Sequence, residues 1–281
     1  MRSWPPRLRR AFCLALLLAA LALLAAAITT APAQAVDRAL FLFVQHHLRV
    51  AWLDQVMVHV TMLGDAAVEL LLLLWAATWV RRSFLTEPVV ALVAVGISVG
   101  WLKHLIGRLR PSQVLDDLHI LGPHLGNLSF PSGHTTTAVA VAGVLGHRFP
   151  RLRWFLYPAA AAVGLSRIYN AAHYPADVLA GALLGSAIAL ATIEAAPLIT
   201  WLTDRLHLHH TELRGRALHT VLLGLLGLLL VWQAFKTKEV PDSWRWPLLI
   251  IGLLTCLVAL WRTRQGVRRW SWYQRLVTRG R

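Results

Sequence analysis

The sequence FPSGHTTTAVAVAGVLG, residues 130–146, joins a helix start directly to an apolar run. Pro131, Ser132 and Gly133 form a small-residue turn of the kind that precedes a helix. Free backbone N–H groups at such a start bind anions, and a glycine lets an oxyanion approach the backbone closely. His134 would then stand beside the bound anion. Taken alone, the stretch is equally typical of a capped helix that carries a histidine by chance.

The chain as a whole has the composition of a membrane protein. Of its 281 residues, 57% are hydrophobic and 15% are charged, and the mean hydropathy is +0.56. A soluble domain of this length needs more polar surface, so lipid is the expected solvent. Spans are predicted at about 11–28, 66–80, 88–105, 135–146, 154–169, 178–199, 217–235 and 246–261.

These spans predict an all-α fold, a polytopic transmembrane helix bundle with a six-helix core and two C-terminal spans. Residues 1–200 are assigned to the core, and residues 201–281 to an extension with two spans and a basic tail. The segment 37–62 mixes apolar residues with histidines and charges, so it is predicted to lie at the outer interface as an amphipathic segment.

The formal net charge of +15 has a topological explanation. Most Lys and Arg residues flank the ends of spans that would face the cytoplasm, which predicts both termini inside and a multi-pass protein of the inner or plasma membrane. No basic, aromatic-interleaved soluble module suggests nucleic-acid binding. Ala33-Gln34-Ala35 also fits a signal-peptidase site, so the first run is either an uncleaved span or a signal peptide. Cys13 and Cys256 lie in apolar runs and predict no disulfide framework.

A second motif precedes the first one. Lys103 is followed after six residues by Arg110-Pro111, at the end of the third predicted span. The spacing of seven predicts that Lys103 and Arg110 share one helix face and that Pro111 ends the helix. Basic residues at a helix end are the plainer explanation, but these lie on the predicted outer side, where the positive-inside rule disfavours them.

A third motif follows the next predicted span. Ser166-Arg167 is followed after five residues by His173 and after three more by Asp177. On a helix, residues four apart are neighbours, so Asp177 is predicted to fix the tautomer of His173 and leave its other ring nitrogen free. The alternative is a structural His–Asp pair at a helix end.

The three motifs, in this order, resemble the type 2 phosphatidic acid phosphatase family, relatives of bacterial acid phosphatases and vanadium haloperoxidases. The family pattern is K-x6-R-P, then P-S-G-H, then S-R-x5-H-x3-D, and the chain matches every named position over a core of about 66–199. The resemblance implies a metal-independent lipid phosphate phosphatase without a cofactor, acting through a phosphohistidine. The implied catalytic residues are His173, His134 and Asp177, and the phosphate ligands are Lys103, Arg110, Ser132, Gly133 and Arg167.

The predicted topology places all three motifs, and with them the active site, on the extracytoplasmic face. The membrane placement and the resemblance together imply a membrane lipid as substrate. Candidates are phosphatidate, phosphatidylglycerol phosphate, a polyprenyl diphosphate or a phosphorylated lipid A. A phosphotransferase would use the same residues with an alcohol in place of water, and a non-enzymatic transporter or scaffold is a third possibility. Two other clusters, Asp116-Asp117-x-His119 and His207-x-His209-His210, are predicted to be solvated loops rather than metal sites. The oligomeric state stays open.

Overall fold

The structure is a computed structural model that describes residues 4–79, 85–122, 126–205 and 249–261, with 220–221, 224–225 and 227–228 between them. The helices are α1 Pro6–Ala27, α2 Ala31–His47, α3 Ala51–Met62, α4 Ala66–Trp79, α5 Thr86–Ile106, α6 Gly133–Arg148, α7 Arg153–Tyr169 and α8 Pro175–Arg205. A 3-10 turn lies at Pro111–Gln113 and a further helix at Leu249–Trp261.

The all-α prediction is confirmed for the part of the chain that the structure describes, where extended pairing is limited to one isolated bridge between Leu109 and Leu128. Within that part, α1, α5 and α8 are long and apolar enough to cross a membrane. The pair α3 and α4, bent by 66° at a short break, passes the same test together. Helices α6 and α7, with 16 and 17 residues, are slightly shorter. The predicted span at 217–235 falls largely outside the described residues.

The chain folds into two compact units. The first comprises Met1–Leu73 and Val80–Ile199, and the second comprises Leu74–Trp79 and Thr200–Arg281. In the second unit, Trp75 Nε1 donates to Thr255 Oγ1 at 3.2 Å. All of the predicted site residues belong to the first unit.

Helix α6 packs against α5, α7 and α8 in the first unit. Its contact with α8 depends on two glycines four residues apart, Gly181 and Gly185. A Cβ atom at these positions would lie 2.7 Å from the Ser132 carbonyl oxygen and 2.6 Å from the Thr136 carbonyl oxygen. Such small-residue pairs let two membrane helices approach backbone to backbone. The sequence GALLG at 181–185 therefore fixes α8 against the start of α6.

Helix α1 is packed into the same unit. Its Leu21 and Ile28 are buried in a cluster with Val95 and Val99 of α5 and with residues of α6 and α8. Arg10 Nε of α1 also lies 2.5 Å from Glu194 Oε1 of α8. Paired charges are the usual form in which ionisable residues occur in membrane helices.

The segment predicted as one amphipathic stretch, 37–62, is divided between two helices. Residues Leu48 to Val50 separate α2 from α3, and both helices pack on α7. Asp37 of α2 is buried rather than solvated. This segment therefore lies against the bundle through polar contacts that its sequence pattern does not reveal.

Candidate active site

The predicted site residues lie where four helices begin or end. Lys103 is in the last turn of α5, and Ser132 precedes the first residue of α6. Arg167 is in the last turn of α7, His173 lies in the α7–α8 connection, and Asp177 is in the first turn of α8. The backbone N–H of Ser132 donates to the Asp177 carbonyl oxygen at 2.9 Å, which joins the starts of α6 and α8. The three motifs therefore meet at one end of the bundle.

The prediction that Lys103 and Arg110 share a helix face is wrong. Helix α5 ends at Ile106, because Gly107 adopts a left-handed conformation with φ of +64° and donates its N–H to the Lys103 carbonyl. Arg110 instead lies in the following loop, where its N–H donates to the Asn127 carbonyl at 3.0 Å. Pro111 begins a 3-10 turn and does not end α5. The loop, not a helix face, brings Arg110 to the site.

Arg110 is buried and directly contacts His173. Its Nη1 lies 2.9 Å from His173 Nε2 and also donates to the Ala172 carbonyl at 2.7 Å. Its Nε donates to the Gly126 carbonyl at 2.5 Å. A guanidinium has only donors, so His173 Nε2 is the acceptor in this contact and carries its lone pair there.

Asp177 lies beside His173 as predicted, but the prediction that the two are paired along a helix is wrong. His173 precedes α8, which begins at Pro175, and His173 Nδ1 lies 3.6 Å from Asp177 Oδ2. Ser129 fills the gap: its Oγ donates to Asp177 Oδ2 at 2.5 Å and lies 3.2 Å from His173 Nδ1. Because the single hydroxyl proton goes to Asp177, Nδ1 donates to Ser129 Oγ. The contacts at Nδ1 and at Nε2 therefore require the same neutral tautomer, in which Nδ1 carries the proton.

Asp177 is held by a second group that the motifs do not include. Arg108 Nη1 donates to Asp177 Oδ1 at 2.8 Å, and its Nη2 donates to Asp37 Oδ2 at 2.6 Å. The Arg108 guanidinium stacks 4.2 Å from the centroid of the Tyr174 ring. Asp37 also accepts from the Ala176 N–H at 2.8 Å, and burial raises its pKa. Helix α2 thus reaches the His173 network through Asp37 and Arg108.

Arg167 presents free donors. It is 4% exposed, and its Nη1 donates to Thr61 Oγ1 of α3 at 2.6 Å. Its Nε and Nη2 are buried without a partner in the described part of the chain. Unpaired buried guanidinium donors are costly, and a bound oxyanion would satisfy them in pairs.

Lys103 and the start of α6 complete the surroundings. Lys103 Nζ donates to the Leu128 carbonyl at 3.0 Å. The Ser132 hydroxyl accepts from Thr135 Oγ1 at 2.9 Å and caps α6, and neither contact uses its own proton. A Cβ atom on Gly133 would make only ordinary contact, 3.6 Å from Val99, so close packing does not require this glycine. His134 is the second residue of α6 and directly follows Gly133.

The electrostatics of the site favour a neutral His173. Burial, together with the positive charges of Arg110, Arg167 and Lys103, holds the pKa of His173 well below its usual range. Burial lowers the pKa of Arg110 to about 10, so Arg110 keeps its charge at neutral pH. A neutral imidazole with an available Nε2 lone pair among cations suits attack on an anionic centre.

Metal-ligand geometry is a separate question. Within the described ranges, no group of three or more His, Cys, Asp or Glu side chains is arranged to hold a metal ion. Asp116 and Asp117 form no such group with His119 of the same predicted cluster. His119 Nε2 instead lies 3.6 Å from Asp54 Oδ2. The second cluster, 207–210, lies outside the described residues.

Sequence reasoning missed Ser129, Arg108 and Asp37. Ser129 directly precedes the Phe130-Pro131 turn, and Arg108 lies inside the Lys103–Arg110 interval, so proximity to the motifs was a weak signal for both. Asp37 lies 140 positions away from Asp177. Nothing in its local sequence distinguishes it from an ordinary interfacial carboxylate.

Comparison with known proteins shows the same core. The chain is 38% identical over 101 residues to a lipid A 1-phosphatase of Rhizobium johnstonii, a match covering 34% of this chain and 41% of the relative. It is 34% identical over 137 residues to an undecaprenyl-diphosphatase of Bacillus subtilis, covering 48% of this chain and 69% of the relative. The chain thus spans less than half the length of the first relative and about two thirds of the second.

A solved structure gives the same result in three dimensions. The crystal structure of a transmembrane PAP2-type phosphatidylglycerolphosphate phosphatase from Bacillus subtilis matches with a TM-score of 0.58 and 27% identity, covering 67% of this chain and 98% of that one. The apolar helices and these relatives make the protein a multi-pass membrane protein. The family model of the PAP2 superfamily matches residues 84–201. The chain belongs to the PAP2 superfamily, which confirms the resemblance carried by its three motifs.

Proposed function

We propose that the protein is a membrane phosphatase that hydrolyses a lipid phosphate or diphosphate, with His173 as nucleophile. One observation carries the proposal: the unpartnered Nε and Nη2 of buried Arg167 belong to the group of cations that surrounds His173. A phosphoryl group would satisfy these donors and bring its phosphorus close to the imidazole. Phosphoryl transfer depends mainly on positioning and charge stabilisation, which this arrangement supplies.

In the first step, a phosphate oxygen takes over the Arg110 Nη1 donor that contacts His173 Nε2. The released Nε2 lone pair forms a bond to phosphorus, and the bond between phosphorus and the lipid oxygen breaks. His134 donates a proton to the departing lipid oxygen, since a phosphate dianion beside it favours the imidazolium form. Arg110, Arg167 and Lys103 stabilise the charge on the equatorial oxygens.

In the second step, water replaces the lipid alcohol. His134, now neutral, accepts a proton from water as its oxygen bonds to phosphorus and the bond from phosphorus to His173 Nε2 breaks. Ser129 keeps the proton on Nδ1 through both steps, because its own proton stays with Asp177. Arg108 and Asp37 act as positioning residues, because they hold the Asp177 carboxylate that orders Ser129.

Lipid as the substrate class is supported by the relatives, which act on lipid A, undecaprenyl diphosphate and phosphatidylglycerol phosphate by their names. It is also supported by the position of the site at the ends of apolar helices. The clustering of Lys and Arg near the opposite helix ends supports an extracytoplasmic site with both termini in the cytoplasm.

Phosphate release from a panel of lipids tests the proposal. The purified protein in detergent should release inorganic phosphate from at least one of phosphatidate, phosphatidylglycerol phosphate, a polyprenyl diphosphate and lipid A. EDTA should leave the rate unchanged, because three cationic side chains supply the charge that a metal would otherwise provide. Release from none of these lipids contradicts the proposed function. Phosphate found on an alcohol acceptor would show a transferase, and inhibition by EDTA reversed by a divalent ion would contradict the metal-independent mechanism.

The pH profile of kcat/KM tests the state of His173. Because burial and neighbouring cations lower its pKa, the neutral, competent form persists below the ordinary histidine value of about 6.5. Activity should therefore fall on the acidic side only below about 6.5. Arg110→Gln removes one of the cations that disfavour imidazolium, so the pKa of His173 should rise and the acidic limb should move to higher pH.

The second ionisation of the phosphate substrate, near pH 6, affects the wild type and Arg110→Gln alike. A difference between their two pH profiles therefore reports the ionisation of His173. The lower absolute rate expected for Arg110→Gln does not affect the position of the limb. An acidic limb that stays in place or moves to lower pH in the variant would contradict the assigned role of His173.

A further inference from the structure

An apolar groove lies between α1 and α5 in the first unit. Leu18, Leu21, Ala22 and Ala25 of α1 form one wall, the last turn of α5 forms the other, and Phe130 closes the inner end. Its volume is about 300 Å³, at the lower end of the range of about 300–1,000 Å³ typical of small-molecule sites. Leu18 and Leu105 remain exposed along its edge, so the groove is open to the side.

Two segments that line the groove also carry residues of the site around His173. Phe130, at its inner end, is fully buried and lies between Ser129, which contacts His173, and the turn that starts α6. In the last turn of α5, Leu102, Leu105 and Ile106 line the groove. Lys103, in the same turn, instead donates to the Leu128 carbonyl in the loop leading to Ser129. One helix turn thus presents an apolar wall on one side and a phosphate-binding cation on another.

We infer that this groove holds one hydrocarbon chain of the lipid whose phosphate group binds beside His173. The inference rests on the proposed function and assigns it a subsite. A lipid headgroup at Lys103 would direct its chains along the apolar helices, and the groove begins at that turn and is open along its side. The lining is apolar and has no charged or polar side chain. It therefore suits a hydrocarbon chain and does not suit a more polar part of the substrate.

The expected contribution is orientation rather than transfer energy. Bilayer chains are as apolar as leucine, so a chain gains little hydrophobic free energy by leaving the bilayer for the groove. Seating one chain restricts how the headgroup can rotate, and correct placement of phosphorus against His173 Nε2 accelerates attack. The groove should therefore matter for long-chain substrates and be irrelevant to a phosphate ester without long chains.

Filling the groove tests this inference. Ala22 lines it and is exposed, so Ala22→Trp places an indole in the groove without displacing a buried side chain. We expect kcat/KM for the long-chain lipid of the panel that the wild-type protein hydrolyses best to fall by about 10- to 100-fold, with kcat/KM for its water-soluble short-chain analogue unchanged. Ala25→Leu, a smaller filling, should give a smaller loss of the same selective kind.

Ala27→Trp is the matched control. Ala27 is an exposed residue of the same helix on the side opposite the groove lining, so this variant should leave both substrates unaffected. Wild-type kcat/KM of Ala22→Trp for the long-chain lipid would overturn the inference, as would an equal loss for the long-chain and short-chain substrates. Failure of the wild-type protein to release phosphate from any lipid of the panel would instead contradict the proposed function, so the two failures are distinguishable.

Discussion

Replacing His173 with alanine is expected to lower phosphate release by about 10⁴- to 10⁶-fold, because removal of a nucleophile leaves only binding and charge stabilisation. His173 is 1% exposed and holds the contacts to Arg110 and Ser129, so the variant must also be shown to fold. His173→Asn retains a polar side chain of similar reach and should be equally inactive. The measurement is the initial rate of phosphate release from the best lipid of the panel, alongside elution and thermal unfolding in the same detergent.

His104→Ala is the control for this prediction. His104 lies one residue after Lys103 on α5 but is exposed, and it should retain wild-type activity. Near wild-type phosphate release by His173→Ala, with the variant folded, would remove His173 from the chemistry. The loss must also be selective, since equal losses in His104→Ala and His173→Ala would indicate general damage to this end of the bundle.

Replacing Arg167 with lysine is expected to lower kcat/KM by about 10²- to 10³-fold, the cost of losing preorganised donors to a developing oxyanion. Lysine keeps the positive charge but cannot contact Thr61 and two phosphate oxygens with a planar fork. Arg167 is buried between α3 and the site, with Nε and Nη2 unpartnered. The loss should therefore fall on the transition state and persist at saturating substrate.

Arg153→Lys is the matched control, because Arg153 begins the same helix and is exposed. It should leave kcat and KM within about twofold of wild type, the range expected for a surface change. If Arg167→Lys also stayed within that range, the fork geometry would be irrelevant and Arg167 would serve only as a buried charge. Measuring kcat and KM separately distinguishes loss of catalysis from loss of binding.

The sequence was most informative about local features. Apolar runs predicted the spans that correspond to α1 and to α4 through α8, and the turn at Ser132 and Gly133 predicted the start of α6, because spans and caps depend on neighbouring residues. The end of α5 was predicted four residues too late. Proline is a strong stop signal, but Gly107 had already ended the helix in a left-handed conformation.

The connections around His173 could not be predicted, because they are contacts between distant parts of the chain. The spacing of His173 and Asp177 suggested a direct pair, yet the loop before α8 leaves room for Ser129 between them. Arg108 and Asp37 belong to the loop after α5 and to α2, which meet only after folding. A short polar side chain gives no periodic signal, so only the assembled structure identifies such partners.

The proposed mechanism requires that His173 Nε2 forms a covalent bond to phosphorus during turnover. The most direct test is a rapid-quench experiment with a lipid phosphate radiolabelled on phosphorus, followed by alkaline digestion and mass spectrometry. We expect acid-labile, alkali-stable label on His173 that appears before the steady state, disappears as substrate is consumed and is absent from His173→Ala. An enzyme that turns over with label on another residue, or with no labelled protein at any time, would contradict it.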